Sequence, residues 1–290
     1  MSAVLMDGKS LAKKIKEQVR CEVEQLARKP GLAVILVGEN PATRVYVDGK
    51  TRDCRQCGIY SEEYALLESS SQQEVIDLIE TLNDRDDIDG IMVQMPLPEH
   101  MDAQTVLRAV RPDKDLDCVH PYNLGQLMLG QDAFQPCTPA GIMRLLDEYG
   151  IDPDGKTCVV VGRSSIVGKP LAMLMVQRNA TVTISHTHTR DLHKKCARAD
   201  ILVTAAGQVG LITGDMIKEG AVVVDVAINR NEKGELCGDV VYEEGVLKAS
   251  YITPIPGGVG PMTRAMLMHN ALEAAKLHEK CRMQNAGCRM

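Results

Sequence analysis

TCVVVGRSSIVGKP, residues 157–170, runs from an apolar segment of strand length through a glycine turn into the start of a helix. Such a strand–turn–helix junction aims backbone N–H groups and the positive end of a helix dipole at a phosphate. Only Gly162 and Gly168 are present, one residue farther apart than in G-x-G-x-x-G, and a purely structural turn fits the motif equally well. The surroundings strengthen it. Apolar runs follow at 180–185, 200–206 and 221–228, and a plausible crossover helix follows each of the first three strands, so the second half reads as a Rossmann-type doubly wound parallel sheet. In the first half GLAVILVG (31–38), IYSEEYAL (59–66) and DGIMVQMPLP (89–98) read as strands. Asn40 and Pro41 open a helix between the first two and Gly58 ends it, while Ser71 and Glu74 form a capping box before VIDLIETL. This half is a β-α-β-α-β unit. After an irregular stretch at 113–139, PAGIMRLLDEYG reads as a helix stopped by Gly150, and residues 261–283 read as one long helix returning to the first domain. The expected division is 1–138 plus the helix 261–283, and 139–260, both α/β.

The chain of 290 residues is 44% hydrophobic, ample for a core, and its net charge of −6 gives no reason to expect a nucleic-acid partner. No run reaches the ~18 apolar residues of a membrane span, and MSAVLMDGKSLAKK lacks the order of a signal peptide, so a cytoplasmic protein with no membrane partner is expected. Ten cysteines are scattered, and Cys54 and Cys57 form the one C-x-x-C, without the second pair or histidines a zinc site needs. Buried, reduced thiols are the reading adopted, and no metal is expected. With no Trp and one Phe, Phe134, ring stacking on a ligand would fall to a tyrosine.

Two groups of residues carry candidate chemistry. After the second nucleotide strand, SHTHT (185–189) offers no carboxylate for a ribose, so a 2′-phosphate is tolerated there. Arg163 is its natural partner, with Ser164 and Thr187 as neutral donors, and His186 and His188 are not assigned as metal ligands. In the first half Tyr46 and Lys50 lie one turn apart on one helix face, able to hold a flat heteroaromatic ring beside a proton-handling group. On spacing alone such a pair is more often a core-edge tyrosine and a solvated lysine. Gly49 weakens that helix by about 1 kcal/mol, which makes sense if something packs closely against it. Gln94, between Val93 and Met95 in an apolar strand, must have a partner, and Asp117 can grip an amino-pyrimidine edge or cap a loop. For Asp113 and Asp115 the loop-capping role is preferred.

These residues sit in PATRVYVDGK (41–50), DGIMVQMPLP (89–98), PDKDLD (112–117), NLGQL (123–127), PCTPAG (136–141), VVVGRSSIVGKP (159–170), ADILVTAAGQ (199–208) and TPIPGGVGPMT (253–263). On them the chain closely resembles the bifunctional methylenetetrahydrofolate dehydrogenase/cyclohydrolase family over nearly its whole length. The resemblance implies two α/β domains flanking a cleft and a homodimer formed mainly through the nucleotide domain. It implies NADP-dependent oxidation of 5,10-methylenetetrahydrofolate to the methenyl form and hydrolysis of that product to 10-formyltetrahydrofolate, the alternative being a dehydrogenase alone. Tyr46, Lys50, Gln94 and Asp117 would form the folate site, with Val93 and Met95 beside Gln94 and the loop Pro256, Gly257, Gly258, Val259, Gly260, Pro261 at its border. Gly162, Arg163, Ser164, Thr187 and Ile228 would bind NADP. Lys50, held by Tyr46 and Gln94, would manage protons, and Asp117 would anchor the pterin. The chain departs from the family pattern at Cys118, where Gly is common, at Ser185 and Thr187, where Cys and Ser are common, and at Ala227 in place of Gly.

Overall fold

The computed structural model describes residues 2–38, 41–131 and 134–287; the side chains of 41–43, 45, 46 and 285–287 lie outside that description. The chain begins with a short strand β1 (Val4–Leu5) and helix α1 (Gly8–Val23). Next come β2 (Gly31–Val37), α2 (Pro41–Cys57), β3 (Tyr60–Leu66), α3 (Gln72–Asn83) and β4 (Gly90–Val93). Helices α4 (Ala103–Ala109), α5 (Pro121–Met128) and α6 (Cys137–Glu148) lead to β5 (Thr157–Val161), α7 (Gly168–Gln177) and β6 (Thr181–Ser185). Then follow α8 (Leu192–Cys196), β7 (Ile201–Thr204), β8 (Val222–Asp225), β9 (Asn229–Arg230) and β10 (Leu236–Cys237). The chain ends through α9 (Tyr242–Lys248), β11 (Tyr251–Ile252) and α10 (Val259–Gly287). Among the described residues no helix is long and apolar enough to cross a membrane.

Two compact units emerge, one of Met1–Lys13, Leu127–Asp132 and Pro136–Thr263, the other of Lys14–Gln126, Ala133–Gln135 and Arg264–Met290. The first thirteen residues thus group with the later half of the chain, against the expected 1–138 boundary. The reason is a backbone ladder: β1 pairs in parallel with β11, and Met6 N donates to the Ile252 carbonyl at 2.9 Å.

The unit centred on β2 holds a parallel sheet in the order β3-β2-β4. Every residue of β2 is buried, as a central parallel strand requires. The expected caps are present: Ser71 and Glu74 form the capping box of α3, and α2 stops before Gly58 at φ +73°. The proposed Asn40 cap lies outside the described residues. The third strand was expected to reach residue 98 but ends at Val93, because Pro96 and Pro98 bring no N–H to a ladder. The order β3-β2-β4 makes the ends of β2 and β4 a topological switch point, the place where open α/β sheets receive ligands.

The other unit holds a six-stranded, all-parallel sheet in the order β1-β11-β8-β7-β5-β6. From β6 to β11 this is the 2-1-3-4-5 doubly wound arrangement, with its switch point between β5 and β7. Three expectations change here. The crossover after β7 is only a 3-10 turn at Gly214–Met216. The apolar run to 228 stops pairing at Asp225 and turns into the antiparallel β9–β10 ribbon. The last helix starts at Val259 and runs to Gly287, with Pro261 in its first turn where no N–H is missed.

Candidate active site

In the β2 unit, Gln94 follows β4 at the switch point, its N–H donating to the Ile35 carbonyl at 2.9 Å. Lys50, on α2, is half-buried; its Nζ donates to Gln94 Oε1 at 3.0 Å and lies 3.1 Å from Met92 Sδ. Gln94 Nε2 donates to the Met95 carbonyl at 2.8 Å, which turns the amide so that its oxygen faces the ammonium group. Val93 is buried and Met95 is 40% exposed beside it. Tyr46 lies one turn before Lys50 in α2, and its side chain is outside the described residues.

The glycine beside Lys50 has a physical reason. A Cβ on Gly49 would lie 2.5 Å from Arg264 Nη1, so the guanidinium packs directly on α2. Arg264 Nε is 3.3 Å from Asp53 Oδ2 and Lys16 Nζ is 2.7 Å from Asp53 Oδ1, so two cations meet one carboxylate buried on the same helix. Neither partner was visible in the sequence; Gly49 was the trace they left.

Ile91 bridges Asp115 in parallel, which lays the segment carrying Asp117 beside β4. Asp115 is the loop-capping carboxylate: it is buried and accepts the N–H groups of Val119 (3.2 Å) and His120 (2.8 Å) and Asn123 Nδ2 (2.9 Å). Burial nevertheless raises its pKa above the usual carboxylate value. Asp113 pairs with Arg111 and His278. Asp117 is half-buried. Cys118 adopts φ +54°, the left-handed region that explains why glycine is common at this position in the resembling family, and its Sγ donates to the Phe134 carbonyl at 2.9 Å. The C-x-x-C thiols are buried on α2 and pushed up by that burial, Cys54 to about 12 and Cys57 to about 11.

In the other unit, Gly162 follows β5 with φ +137°, and a Cβ there would sit 2.5 Å from the Ala205 carbonyl oxygen. The turns after β5 and β7 therefore touch across the switch point. Ser164 Oγ accepts the N–H groups of Val167 (3.2 Å) and Gly168 (3.3 Å), so the donors at the entry to α7 are engaged by the protein. Arg163, Ser164 and Thr187 are exposed. His186 Nδ1 accepts the His188 N–H at 3.2 Å, and the His186 N–H donates to Thr189 Oγ1 at 2.8 Å, which builds the turn from its own residues. Lost solvation, then the Arg163 guanidinium and His188, hold the His186 imidazole below its ordinary pKa. Arg190, Lys194, Lys195 and Arg198 line an open pocket of about 590 Å³ with these histidines, a cationic setting. Ile228 is 49% exposed, and a Cβ on Gly260 would lie 3.3 Å from its Cδ1, so the loop Pro256–Pro261 borders it. That loop is tied by Lys9 N–H to the Gly257 carbonyl at 2.9 Å and by Gly258 N–H to the Pro254 carbonyl at 2.8 Å. An exposed guanidinium and two hydroxyls, with no carboxylate ending β6, form a donor set that fits a phosphorylated dinucleotide.

Comparison with known proteins agrees with both halves. The family model described as tetrahydrofolate dehydrogenase/cyclohydrolase, catalytic domain, matches residues 6–117, and the NAD(P)-binding domain of the same family matches residues 136–279. The chain belongs to the tetrahydrofolate dehydrogenase/cyclohydrolase family. A bifunctional protein FolD from Acetivibrio thermocellus is 55% identical over 283 residues, 97% of this chain and 99% of that protein. Another from Moorella thermoacetica is 53% identical over 95% of this chain and 100% of its own length. Among solved structures, the FolD methylenetetrahydrofolate dehydrogenase/cyclohydrolase of Campylobacter jejuni superposes with TM-score 0.94 at 48% identity, covering 95% of this chain and 99% of that one. The Trypanosoma brucei methylenetetrahydrofolate dehydrogenase-cyclohydrolase, complexed with NADP and an inhibitor, gives TM-score 0.91 at 37% identity over 95% of this chain and 98% of that one.

For this member of the dehydrogenase/cyclohydrolase family, sequence reasoning missed a buried polar network behind the nucleotide turns. Asp225 ends β8 and Asp239 follows β10, both buried. The signal was available: Asp225 interrupts the apolar run AVVVDVAI as Gln94 interrupts its own strand.

Proposed function

We propose that this protein oxidises 5,10-methylenetetrahydrofolate with NADP and hydrolyses the resulting methenyl compound to 10-formyltetrahydrofolate. The single observation that carries the chemistry is the Lys50 Nζ to Gln94 Oε1 bond at the switch point of the three-stranded sheet. When bound, NADP supplies the hydride acceptor. Arg163 would hold its 2′-phosphate, Ser164 and Thr187 would donate hydroxyl hydrogens to it, and Ile228, bordered by the loop Pro256–Pro261, would line the cofactor site. The protein contributes chiefly orientation to hydride transfer.

In the hydrolytic step water must lose a proton as it adds to the cationic methenyl carbon. Gln94, oriented by the Met95 carbonyl, accepts one Lys50 Nζ–H and leaves the amine lone pair to take that proton, which Nζ returns to the ring nitrogen as its bond to the one-carbon centre breaks to give the formyl product. Tyr46, one turn away on α2, flanks the ring, and Asp117 accepts hydrogen bonds from its amino-pyrimidine edge. The β2 unit would be the folate-binding catalytic domain and the six-stranded unit the NADP-binding domain. A cytoplasmic homodimer, joined through the nucleotide unit, completes the reading and is checked by light scattering.

The test of the activity is a pair of absorbance assays on purified protein. One follows NADPH formation from methylenetetrahydrofolate, with NAD as comparison, and the other follows decay of methenyltetrahydrofolate without cofactor. Both reactions are expected. NADPH formation with no hydrolysis above the buffer rate would leave a dehydrogenase alone.

A further inference from the structure

Behind the nucleotide turns, two buried carboxylates form a relay. Asp225 Oδ1 accepts Thr204 Oγ1 at 3.1 Å and the Asp239 N–H at 3.2 Å, and its Oδ2 accepts the Val240 N–H at 2.9 Å. The chain at 238–240 lies directly on this carboxylate, since a Cβ on Gly238 would come within 1.9 Å of Asp225 Oδ2. That contact delivers Asp239 beneath the turn after β7. Asp239 Oδ2 accepts the N–H groups of Ala206 (2.7 Å) and Gly207 (3.3 Å), and Oδ1 accepts the Gln208 N–H (2.7 Å) and Asn229 Nδ2 (3.1 Å). The residue is 0% exposed, and its carboxylate satisfies four donors.

Those donors belong to two stretches that matter for cofactor. The turn at 205–208 touches Gly162 across the switch point, and Asn229 immediately follows Ile228. Left without an anchor, both stretches would have to be ordered by the ligand, at the expense of affinity. An anionic acceptor aimed at a set of backbone N–H groups removes that cost beforehand.

We propose, building on the NADP reading above, that Asp239 is a positioning residue of the cofactor site: it holds the turn Ala206–Gln208 and Asn229 in their binding arrangement, with Asp225 as its own anchor. Asp239 does not touch the reacting atoms. Its influence should fall on cofactor affinity and leave the hydrolytic reaction, which consumes no cofactor, alone.

The substitution to make is Asp239→Asn, which keeps the shape but turns an amide N–H₂ toward N–H donors. NADPH binding is read from its own fluorescence, undisturbed because the protein has no Trp. The expected result is NADPH affinity and KM for NADP weakened about tenfold or more, from the loss of charge-assisted bonds, with KM for methylenetetrahydrofolate and cyclohydrolase kcat within about twofold of wild type. NADPH affinity unchanged within about twofold would overturn the proposal. A parallel fall in both activities with a lowered melting temperature would also overturn it, by showing a merely structural role. Should Asp239→Asn not fold, Asn229→Ala, which removes one of the four donors, carries the test: about threefold weaker NADPH binding is expected and no change overturns the proposal. If wild-type protein fails to bind NADPH at all, the cofactor reading itself falls, and the proposal with it.

Discussion

His278 offers a perturbation whose size and pH dependence can be worked from its contacts. On α10, with its side chain 16% exposed, it bonds Asp89 Oδ1 through Nδ1 at 2.9 Å and Asp113 Oδ2 through Nε2 at 3.2 Å. Asp89 is fully buried and also receives Arg28 Nη1 (2.7 Å), Nη2 (2.5 Å) and the Gly31 N–H (2.9 Å). Burial raises the Asp89 pKa, but the bonds from His278, Arg28 and Gly31 outweigh it and keep the group below its ordinary value. Asp113 is likewise held down, first by His278, and both carboxylates are charged at pH 6. The same two carboxylates, Asp113 foremost, raise the His278 pKa above its ordinary 6.5. A raised folded-state pKa means the stabilisation is complete below pH 6.5 and is lost as pH climbs through the folded value. His278→Gln keeps one donor and much of the volume but removes the charge. With Arg28 still serving Asp89, the net loss is about 2 kcal/mol at pH 6, a fall of roughly 4–8 °C in melting temperature, and it shrinks as the pH is raised to 9. Thermal denaturation of both proteins at the two pH values measures it. A difference that is the same at pH 6 and pH 9 would refute the charged clamp.

Three further substitutions probe the nucleotide unit. Ser185 Oγ is fully buried and has no hydrogen-bond partner among the described residues, so Ser185→Cys, the residue common there in the family, should stabilise by about 1 kcal/mol and raise the melting temperature by about 2–4 °C; a fall would contradict it. Gly162→Ala forces a Cβ to within 2.5 Å of the Ala205 carbonyl at φ +137°, and should cost about 2–3 kcal/mol and abolish NADPH binding; near-normal affinity in a fluorescence titration would contradict it. Arg163→Ala should weaken NADP about tenfold or more while changing NAD less than about twofold, and equal losses for both would remove the guanidinium from the 2′-phosphate.

Much of the fold could be read because the central strands are apolar on both faces and their helices carry ordinary caps, such as Ser71 with Glu74 and Gly58 after α2. Strand ends were read too long at 98, 206 and 228 because apolar composition continues after the ladder stops; proline placement and the turn into β9 decide the ends. Strands β1 and β11 have two residues each, too few for any periodicity. Within the site, Gln94 was legible as a polar residue that needed a partner, and its partner is Lys50. Asp239 was not, because its donors lie as far as 33 residues away and its own neighbourhood, CGDVV, has no pattern. The same holds for Asn270, whose Nδ2 reaches the Leu116 carbonyl across 154 residues of sequence.

The pairing of Lys50 with Gln94 is the centre of the account, and Lys50→Met tests it most directly. Methionine keeps the length of the stem and removes the group that handles protons, leaving Gln94 Oε1 without its donor. Decay of methenyltetrahydrofolate should slow about a hundredfold or more, the scale of a lost general acid–base group, while NADPH binding stays within about twofold of wild type. Hydrolysis at the wild-type rate would contradict the account.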